Sequence, residues 1–586
     1  MSATGSTNID ISVLKNLISR HWESLSLVGQ AAALRTIERL EEGTAPALEF
    51  IPGASEEKNS GSIIRNGREF TDTLGTWIKR GFVAGPFDSP PFEGFKVNRV
   101  LGVVQKDKTR PVLDLSAPAG NSFNDAVIKD KLRKVKTFTA KDMGQELLRR
   151  GSNAVFTKID WSDAYKNIPV HKDYAKFQGF KWLGKYFLES RLVFGASNAV
   201  ADFDDLALVV AELAEAEAGT DRLKILRTID DVPVVGERDG IQLRKFFVVY
   251  KSMCRDLNIR LADECPQRKK AFGPGRTGVV LGMFFDSRSL SWKLPEDKVA
   301  DYGNFLNFLL DKGTVNAEEL QRILGAVEHV SQMCPFLKLF RHNAYRLLSV
   351  CLKDESAFFR LEKSVRYDMG IWANVLRSCA AGLPLVMDRG EPGPSALFFI
   401  SDAAGAARGF QGGPLGVAGA RTSKDMTEAV PLGRIWWPLS FIKEASDSRG
   451  HSFGSKSTTL ECIGLLLPAL TCPSRLEGRD VVLLIDNEAA VYGWRRKFIK
   501  NDLEASVFIR TLGLIEARLG CRFFVRHAPR RASVAAKLVD DLSRASTSSL
   551  SAAKTINSPA LSAWFSNPSI DWTLPEKLLE EVQAAL

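Results

Sequence analysis

Ala154-Val-Phe-Thr-Lys-Ile-Asp160-Trp-Ser-Asp-Ala-Tyr165 and Lys224-Ile-Leu-Arg-Thr-Ile-Asp-Asp231-Val-Pro-Val-Val235 are the two stretches that decide the fold. Residues 153–159 form a strand-like run that delivers Asp160 at its tip. Residues 224–235 read as a hairpin with Asp230 and Asp231 at its turn. An Asp-Asp pair after a strand is ordinarily a solvated turn. A second strand that brings another acid to the same edge changes that reading. Two divalent metals roughly 3.5–4 Å apart can then be held by few protein ligands, because magnesium takes carboxylate oxygens and keeps several waters. Asp160 and Asp230 are the expected bridging pair, a main-chain carbonyl of Ile159 or Trp161 adds a ligand, and Asp231 completes the charge.

Working outward, the acids have company. Lys106-Asp-Lys-Thr-Arg110 offers cations to a polyphosphate, with arginine suited to forked contacts. Phe194-Gly195 opens a long Ala- and Leu-rich helix over 196–218, where glycine allows close approach of the backbone. Strand-like runs occupy 100–104 and 110–115. Residues 178–189 turn at Leu183-Gly184, and 278–294 reads as one hairpin with 286–289 at its tip. Residues 295–380 are mainly helical. Ahead of all this, 11–40 is one amphipathic stretch, followed by a Gly/Ser/Glu-rich passage at 52–62.

The chain has 586 residues, too many for one core. Its 45% apolar and 25% charged content is that of a folded globular protein, not a disordered one. No apolar run is long enough to cross a bilayer, and no basic-then-apolar leader opens the sequence. Eight cysteines without a C-x-x-C pair argue against a zinc ribbon or a disulfide framework and fit reduced thiols in cytoplasm or nucleus. Net charge is +10, and the clusters at 129–136, 267–270 and 494–497 point toward a polyanionic partner.

The motifs resemble the palm and fingers of reverse transcriptases. Lys158-Ile-Asp160-Trp-Ser-Asp-Ala-Tyr165-Lys-Asn-Ile-Pro169 is similar to the family's first palm motif, Leu192-Val-Phe-Gly195-Ala-Ser-Asn-Ala199 to its "lPFGl.nAp" motif, Thr228-Ile-Asp-Asp231 to the Y-x-D-D box, and Val280-Leu-Gly282 to the "fLG" strand. The resemblance implies metal binding by Asp160, Asp230 and Asp231. It implies a steric gate at Tyr165 against the ribose 2′-hydroxyl, phosphate contacts from Arg110 and Lys108, and Gly195 beside the incoming base pair. Thr228 stands where the family has an aromatic, and Val193 where it has proline. Lys108–Ser116, Asn121-Ser-Phe-Asn124 and Gly81–Phe87 resemble the enzymes of DIRS- or Ngaro-type retrotransposons, which pair with a tyrosine recombinase.

A Pro/Gly break at Gly390-Glu-Pro-Gly-Pro394 precedes a second α/β pattern, with strands at 396–400, 481–485 and 522–525 and helices between. Asp402 ends the first strand, Glu461 lies on a helix over 458–470, Asp486 ends the second strand, and Asp540 lies on a helix over 534–544. Such acids can hold a second pair of metals that activates water against a phosphodiester. The set resembles a ribonuclease H domain. His527-Ala-Pro-Arg530 and Asp540-Asp-Leu-Ser-Arg544 resemble its last motif; the usual gap would put Lys537 at the acid's place, but the Asp-x-Leu-Ser-Arg pattern reads from Asp540, with Asp541 as the alternative.

The expected organisation is therefore an α/β (α+β) multidomain chain: a right-hand polymerase of fingers, palm and thumb followed by a ribonuclease H-like mixed-sheet domain. The expected boundaries are a helical leader and linker at 1–65, fingers and palm at 66–294, thumb at 295–345, connection at 346–394, nuclease at 395–548 and a tail at 549–586, with a loose stretch at 545–551. The resemblance implies two Mg2+ (or Mn2+) ions per site. It implies an RNA template, a DNA primer, an RNA–DNA hybrid and deoxynucleoside triphosphates as partners, no membrane, and other element-encoded proteins such as the recombinase. An RNA-dependent RNA polymerase shares the palm and the Asp-Asp turn, and a silent nucleic-acid-binding remnant would share the fold. Tyr165 and the second acid set speak against the former, and acids at all seven positions against the latter.

Overall fold

The structure is a computed structural model. It describes residues 7–105, 108–265, 267–354, 357–386, 390–404, 415–438, 440, 441, 444, 447, 457–500, 502–529, 533–544, 554–567 and 570–586. The chain forms two compact units: Met1–Pro295 with Leu383–Val386, and Glu296–Gly382 with Met387–Leu586. The expected mixed α/β, multidomain organisation is the one observed.

At the centre of the first unit lies a four-stranded sheet in the order Phe272–Gly275, Val155–Asp160, Asp231–Gly236, Lys224–Ile225. Every residue of Val155–Asp160 is buried, as expected of a central strand covered on both faces. Asp160 pairs with Asp231 across an antiparallel ladder. The helix Ile241–Asp256 packs on this sheet and on Ala199–Ala218. Ala199–Ala218 is apolar around most of its circumference and is accordingly buried, except that it also buries Asp202, Asp204 and Asp205.

A six-stranded sheet carries the rest of the cleft. Its central path runs Ser55–Glu56, Lys96–Gln105, Gly179–Trp182, Lys185–Glu189, Val83–Phe87, and Lys108–Asp114 pairs with Lys96–Gln105. The hairpin at Leu183-Gly184 forms as read, both residues having positive φ. The expected single hairpin over 278–294 is instead three strands, Thr277–Val280, Met283–Asp286 and Ser291–Lys293. Leu281 and Gly282, both at positive φ, make the turn that the motif reading had absorbed into a strand. The leader is two helices, Ile11–His21 and Leu27–Glu42, capped by Asp10 and Ser26. Both pack on Ala199–Ala218, and Ser55–Glu56, within the passage read as a linker, adds a strand to the six-stranded sheet.

In the second unit the helices Glu296–Lys312, Ala317–Val330, His342–Cys351 and Lys363–Ala381 precede a five-stranded mixed sheet. Its order is Ala429–Trp437, Leu415–Thr422, Leu397–Ala404, Asp480–Ile485, Arg522–His527. The first three strands are antiparallel, and the last two run parallel to Leu397–Ala404. The sequence reading missed Leu415–Thr422 and Ala429–Trp437. The loose stretch expected at 545–551 lies outside the described residues. Beyond it, Pro559–Ser566 and Leu574–Ala584 are helices, and the second packs on Leu503–Leu519.

Candidate functional site

The first acid group sits where the central strand meets the hairpin turn. Thr228 and Asp231 exchange both main-chain hydrogen bonds, at 2.9 and 3.0 Å, so Ile229 and Asp230 form a two-residue loop. Ile229 is held at φ +52°, a conformation that costs a β-branched residue energy and that concentrates at functional turns. The turn is tied down from two sides. Trp161 N–H donates to the Asp230 carbonyl at 3.0 Å, and the Thr228 hydroxyl donates to the Phe138 carbonyl at 3.2 Å. Thr228 thus anchors the turn to the protein itself.

Asp160 is 7% exposed. Burial pushes its carboxyl up to about 6, with Asp230 and Asp231 adding to the rise and Lys270 and Lys158 opposing it. Burial also raises Asp231, against the pull of Lys158. Lys158 Nζ lies 3.2 Å from Asp231 Oδ1, and Lys270 Nζ 3.7 Å from Asp160 Oδ1. Asp231 is turned onto Lys158, and the three carboxylates do not draw into one tight cluster: among the described residues that is seen only for Asp402, Glu461 and Asp486. Lys270 belongs to the basic cluster at 267–270 and Lys158 opens the first palm motif, but the sequence reading paired neither with the aspartates. Period-two alternation puts Lys158 on the face of Asp160; Lys270 comes from a loop.

Asp160 and Asp230 open on a cavity of about 560 Å³, also lined by Tyr165, Arg110 and Phe194. The Tyr165 ring stands edge-on to Phe194 at 4.7 Å and to Phe203 at 5.7 Å. Burial, and then the charge of Asp230, pushes its phenol up to about 12, so it stays neutral. Arg110 lies over the Phe194 ring at 5.4 Å. Phe194, half exposed in the cleft, is a site residue that the sequence reading passed over in favour of its neighbour. Lys108 opens the strand Lys108–Asp114, but its side chain, like Lys106 as a whole, lies outside the described residues. At Gly195 the expected close approach is intramolecular. A Cβ there would overlap the Leu113 carbonyl oxygen, and Asn124 Nδ2 donates to the Gly195 carbonyl at 2.7 Å.

In the second unit, ligand atoms of Asp402, Glu461 and Asp486 all lie within 4.8 Å of one another. Asp402 is inside the strand Leu397–Ala404 rather than at its end, because pairing continues to Ala404 opposite Gly416. Glu461, on the helix Ser457–Gly464, accepts from Ala403 N–H at 3.3 Å. Asp486 directly follows the parallel strand Asp480–Ile485. Asn487 caps the next helix through Ala490 N–H. Exposed His527 pairs in register with Ile485.

Asp540 does not join the three. Arg544, one turn on, donates to its Oδ1 at 2.8 Å, and the residue of that helix that reaches Asp402 is Ser543, at 2.8 Å from Oδ2. The helix Val534–Arg544 comes this close because a Cβ on Gly416 would overlap the Ser543 carbonyl. Asp541, the alternative, is exposed.

No protein-family model matches the chain, and no curated protein matches it. Among solved structures, it is similar to the dRH form of a foamy viral protease-reverse transcriptase in complex with double-stranded DNA, with a TM-score of 0.43 and 12% identity over 88% of this chain and 81% of that one. Two further foamy viral protease-reverse transcriptase structures match at TM-scores of 0.40 and 0.37. The first, in complex with double-stranded DNA, is 13% identical over 88% of this chain and 96% of that one. The second, in complex with an RNA/DNA hybrid, is 12% identical over 92% and 85%. Likeness this distant decides nothing about the chemistry of the site.

Proposed function

We propose that the chain is an RNA-directed DNA polymerase with an attached ribonuclease H that cuts the RNA strand of RNA–DNA hybrids. The observation that carries this reading is the presence of two acid centres in one chain: Asp160 and the Asp230–Asp231 turn in register at the edge of a large cleft, and Asp402, Glu461 and Asp486 gathered within 4.8 Å.

The donors of both centres are carboxylate oxygens, the set preferred by magnesium or manganese. Burial first, and Asp230 and Asp231 after it, raise the Asp160 carboxyl, and a bound cation would favour its charged form. Asp160, Asp230 and Asp231 would hold the ions of the first centre, and Asp402, Glu461 and Asp486 those of the second. When bound, the ions activate the attacking oxygen and neutralise the departing one. Arg110 and Lys108, with Lys270 beside Asp160, would bind the incoming triphosphate. Tyr165, wedged between two phenylalanines, would fill the space that a ribose 2′-hydroxyl needs and so select deoxynucleotides. Gly195, on the wall that carries Phe194, would support the nascent base pair. In the second centre Ser543 orients Asp402, and Asp540, three residues before it, supplies a fourth carboxylate once Arg544 releases it. RNA template, DNA primer and hybrid would be held through phosphate and sugar, since any sequence must be copied. The motif likeness to DIRS- and Ngaro-type elements makes a retrotransposon with a separately encoded recombinase the finer assignment.

The test is extension of a DNA primer on an RNA template with magnesium and deoxynucleotides. Wild type extends and Asp230→Asn does not. Asp486→Asn loses hybrid cleavage and keeps synthesis. Equal use of ribonucleotides would favour an RNA-dependent RNA polymerase, and absence of both activities in wild type would leave a silent binding protein.

A further inference from the structure

The leader is joined by ion pairs to the helix that follows the cleft wall. Helix Ala199–Ala218 begins just after the cleft residues Val193 and Phe194 and buries three carboxylates within its first two turns. Asp202, Asp204 and Asp205 are 5%, 7% and 1% exposed. Three anions so close and so dry hold their charge only if cations meet them.

Two of those cations come from the leader helix Leu27–Glu42. Arg35 binds Asp205 through a two-pronged contact, Nε to Oδ2 at 2.9 Å and Nη2 to Oδ1 at 2.8 Å. Arg39 bridges Asp205, at 2.6 Å, and Asp202, at 3.0 Å. Arg133 joins Asp205 to Asp204, at 3.1 and 2.7 Å. Arg227 then meets Asp204 at 3.5 Å, and the next residue in the chain is Thr228, the first of the aspartate turn. One chain of ion pairs therefore runs from the leader to Arg227, the residue before the aspartate turn.

The leader reaches the gate by a second route. The Thr7 hydroxyl donates to the Asn167 carbonyl at 2.8 Å, the last residue of the short helix Ala164–Asn167 that carries Tyr165. Asp10 N–H donates to the Leu257 carbonyl at 3.2 Å, and Asn258 Nδ2 donates to the Asn8 carbonyl at 3.0 Å. These bonds hold the chain at Asn8 and Asp10, directly after Thr7.

We infer that residues 7–42 are a working part of the polymerase cleft: Arg35 and Arg39 are positioning residues for the aspartate turn, and Thr7 is one for Tyr165. The inference rests on the polymerase reading above. A leader that only filled space would tolerate loss of these polar groups wherever the fold survived. A positioning leader would not, because a reacting group displaced by about an ångström can cost 10²-fold in rate.

The experiment uses full-length R35Q/R39Q, R35K/R39K and T7V. R35Q/R39Q is expected to lose roughly 10- to 100-fold in kcat of primer extension with KM for primer–template changed by less than about twofold, and R35K/R39K to regain part of the loss. T7V is expected to lose several-fold of its preference for deoxy- over ribonucleotides. Hybrid cleavage should be unchanged in all three. A folded R35Q/R39Q protein with wild-type kcat overturns the inference, as does a fall in hybrid cleavage in step with synthesis. If R35Q/R39Q does not fold, T7V decides: unchanged sugar preference and rate overturn the inference. Failure of wild type to extend primers would instead sink the polymerase reading.

Discussion

Asp160 makes the first centre sensitive to acid in a calculable way. Its carboxyl is pushed up to about 6, by burial first and by its two aspartate neighbours after that. A carboxylate must lose its proton to bind a cation, so proton and magnesium compete for it. At pH 7.5 about one molecule in thirty carries the proton; at pH 5 about ten in eleven do. The apparent magnesium constant for primer extension should therefore weaken by roughly tenfold between these pH values. The assay is a magnesium titration of extension at each pH, read as the half-saturating concentration rather than the rate, because the primer hydroxyl contributes its own pH dependence to the rate. Lys270 supplies an internal check. At 3.7 Å and largely exposed, it contributes about 1 kcal/mol at a water-like dielectric, or somewhat under one pKa unit. Lys270→Gln should move the weakening to higher pH by that amount. A half-saturating concentration that changes less than about twofold, or a Lys270→Gln shift toward lower pH, would refute the reasoning. The metal-free protein has a matching sign. Because the folded carboxyl binds its proton more tightly than the unfolded one, the contribution of Asp160 to stability is present below about pH 4 and is lost as pH rises through about 6.

Tyr165→Val empties the space between Phe194 and Phe203, and ribonucleotide use relative to deoxynucleotide use should rise about 10- to 100-fold in kcat/KM; an unchanged ratio would remove the gate role. Arg510→Met strands the fully buried Asp368, which Arg510 meets at 3.0 Å. It should destabilise the second unit by about 3–5 kcal/mol in a denaturant melt, with most of the loss recovered in Arg510→Met/Asp368→Leu; equal melts for wild type and the single variant would contradict this. Gly195→Ala drives a methyl into the Leu113 carbonyl and should cost about 1–3 kcal/mol while lowering extension, whereas a neutral alanine would show that the wall yields.

Much of the first centre was legible in the sequence because its elements are strongly patterned. Val155–Asp160 is short, apolar and β-branched, and the doublet lies between two similar runs, so strand, turn and acid placement follow from local preference. What escaped is what tertiary contact decides. The strands Leu415–Thr422 and Ala429–Trp437 carry Gly416, Gly419 and Gly433, residues that weaken a strand signal. At Gly416 the reason is a helix passing overhead. Asp540 and Ser543 lie on the same helix, and only the approach allowed by Gly416 determines which of them touches Asp402. The lysines that hold Asp231 and Asp160 come from a strand and from a loop, and their meeting is a property of the folded chain.

The compact units part at 295–296, and the helices up to Gly382 group with the mixed sheet across the Pro- and Gly-rich passage at 390–394. Arg510, on Leu503–Leu519, lies against Asp368, on Lys363–Ala381, and Asn343 Nδ2 donates to the same carboxylate at 3.0 Å. A Cβ on Gly513 would overlap Leu339, so that helix is grooved to take the segment Pro335–Phe340. Proline and glycine mark where backbone is exposed and turning. A packing boundary lies where few contacts cross, and a buried ion pair that spans 142 residues of sequence leaves no trace in local composition. The second acid centre therefore belongs to a unit that includes the helices preceding it, and the positions of Asp402, Glu461 and Asp486 depend on packing that begins about a hundred residues before the first strand of their sheet.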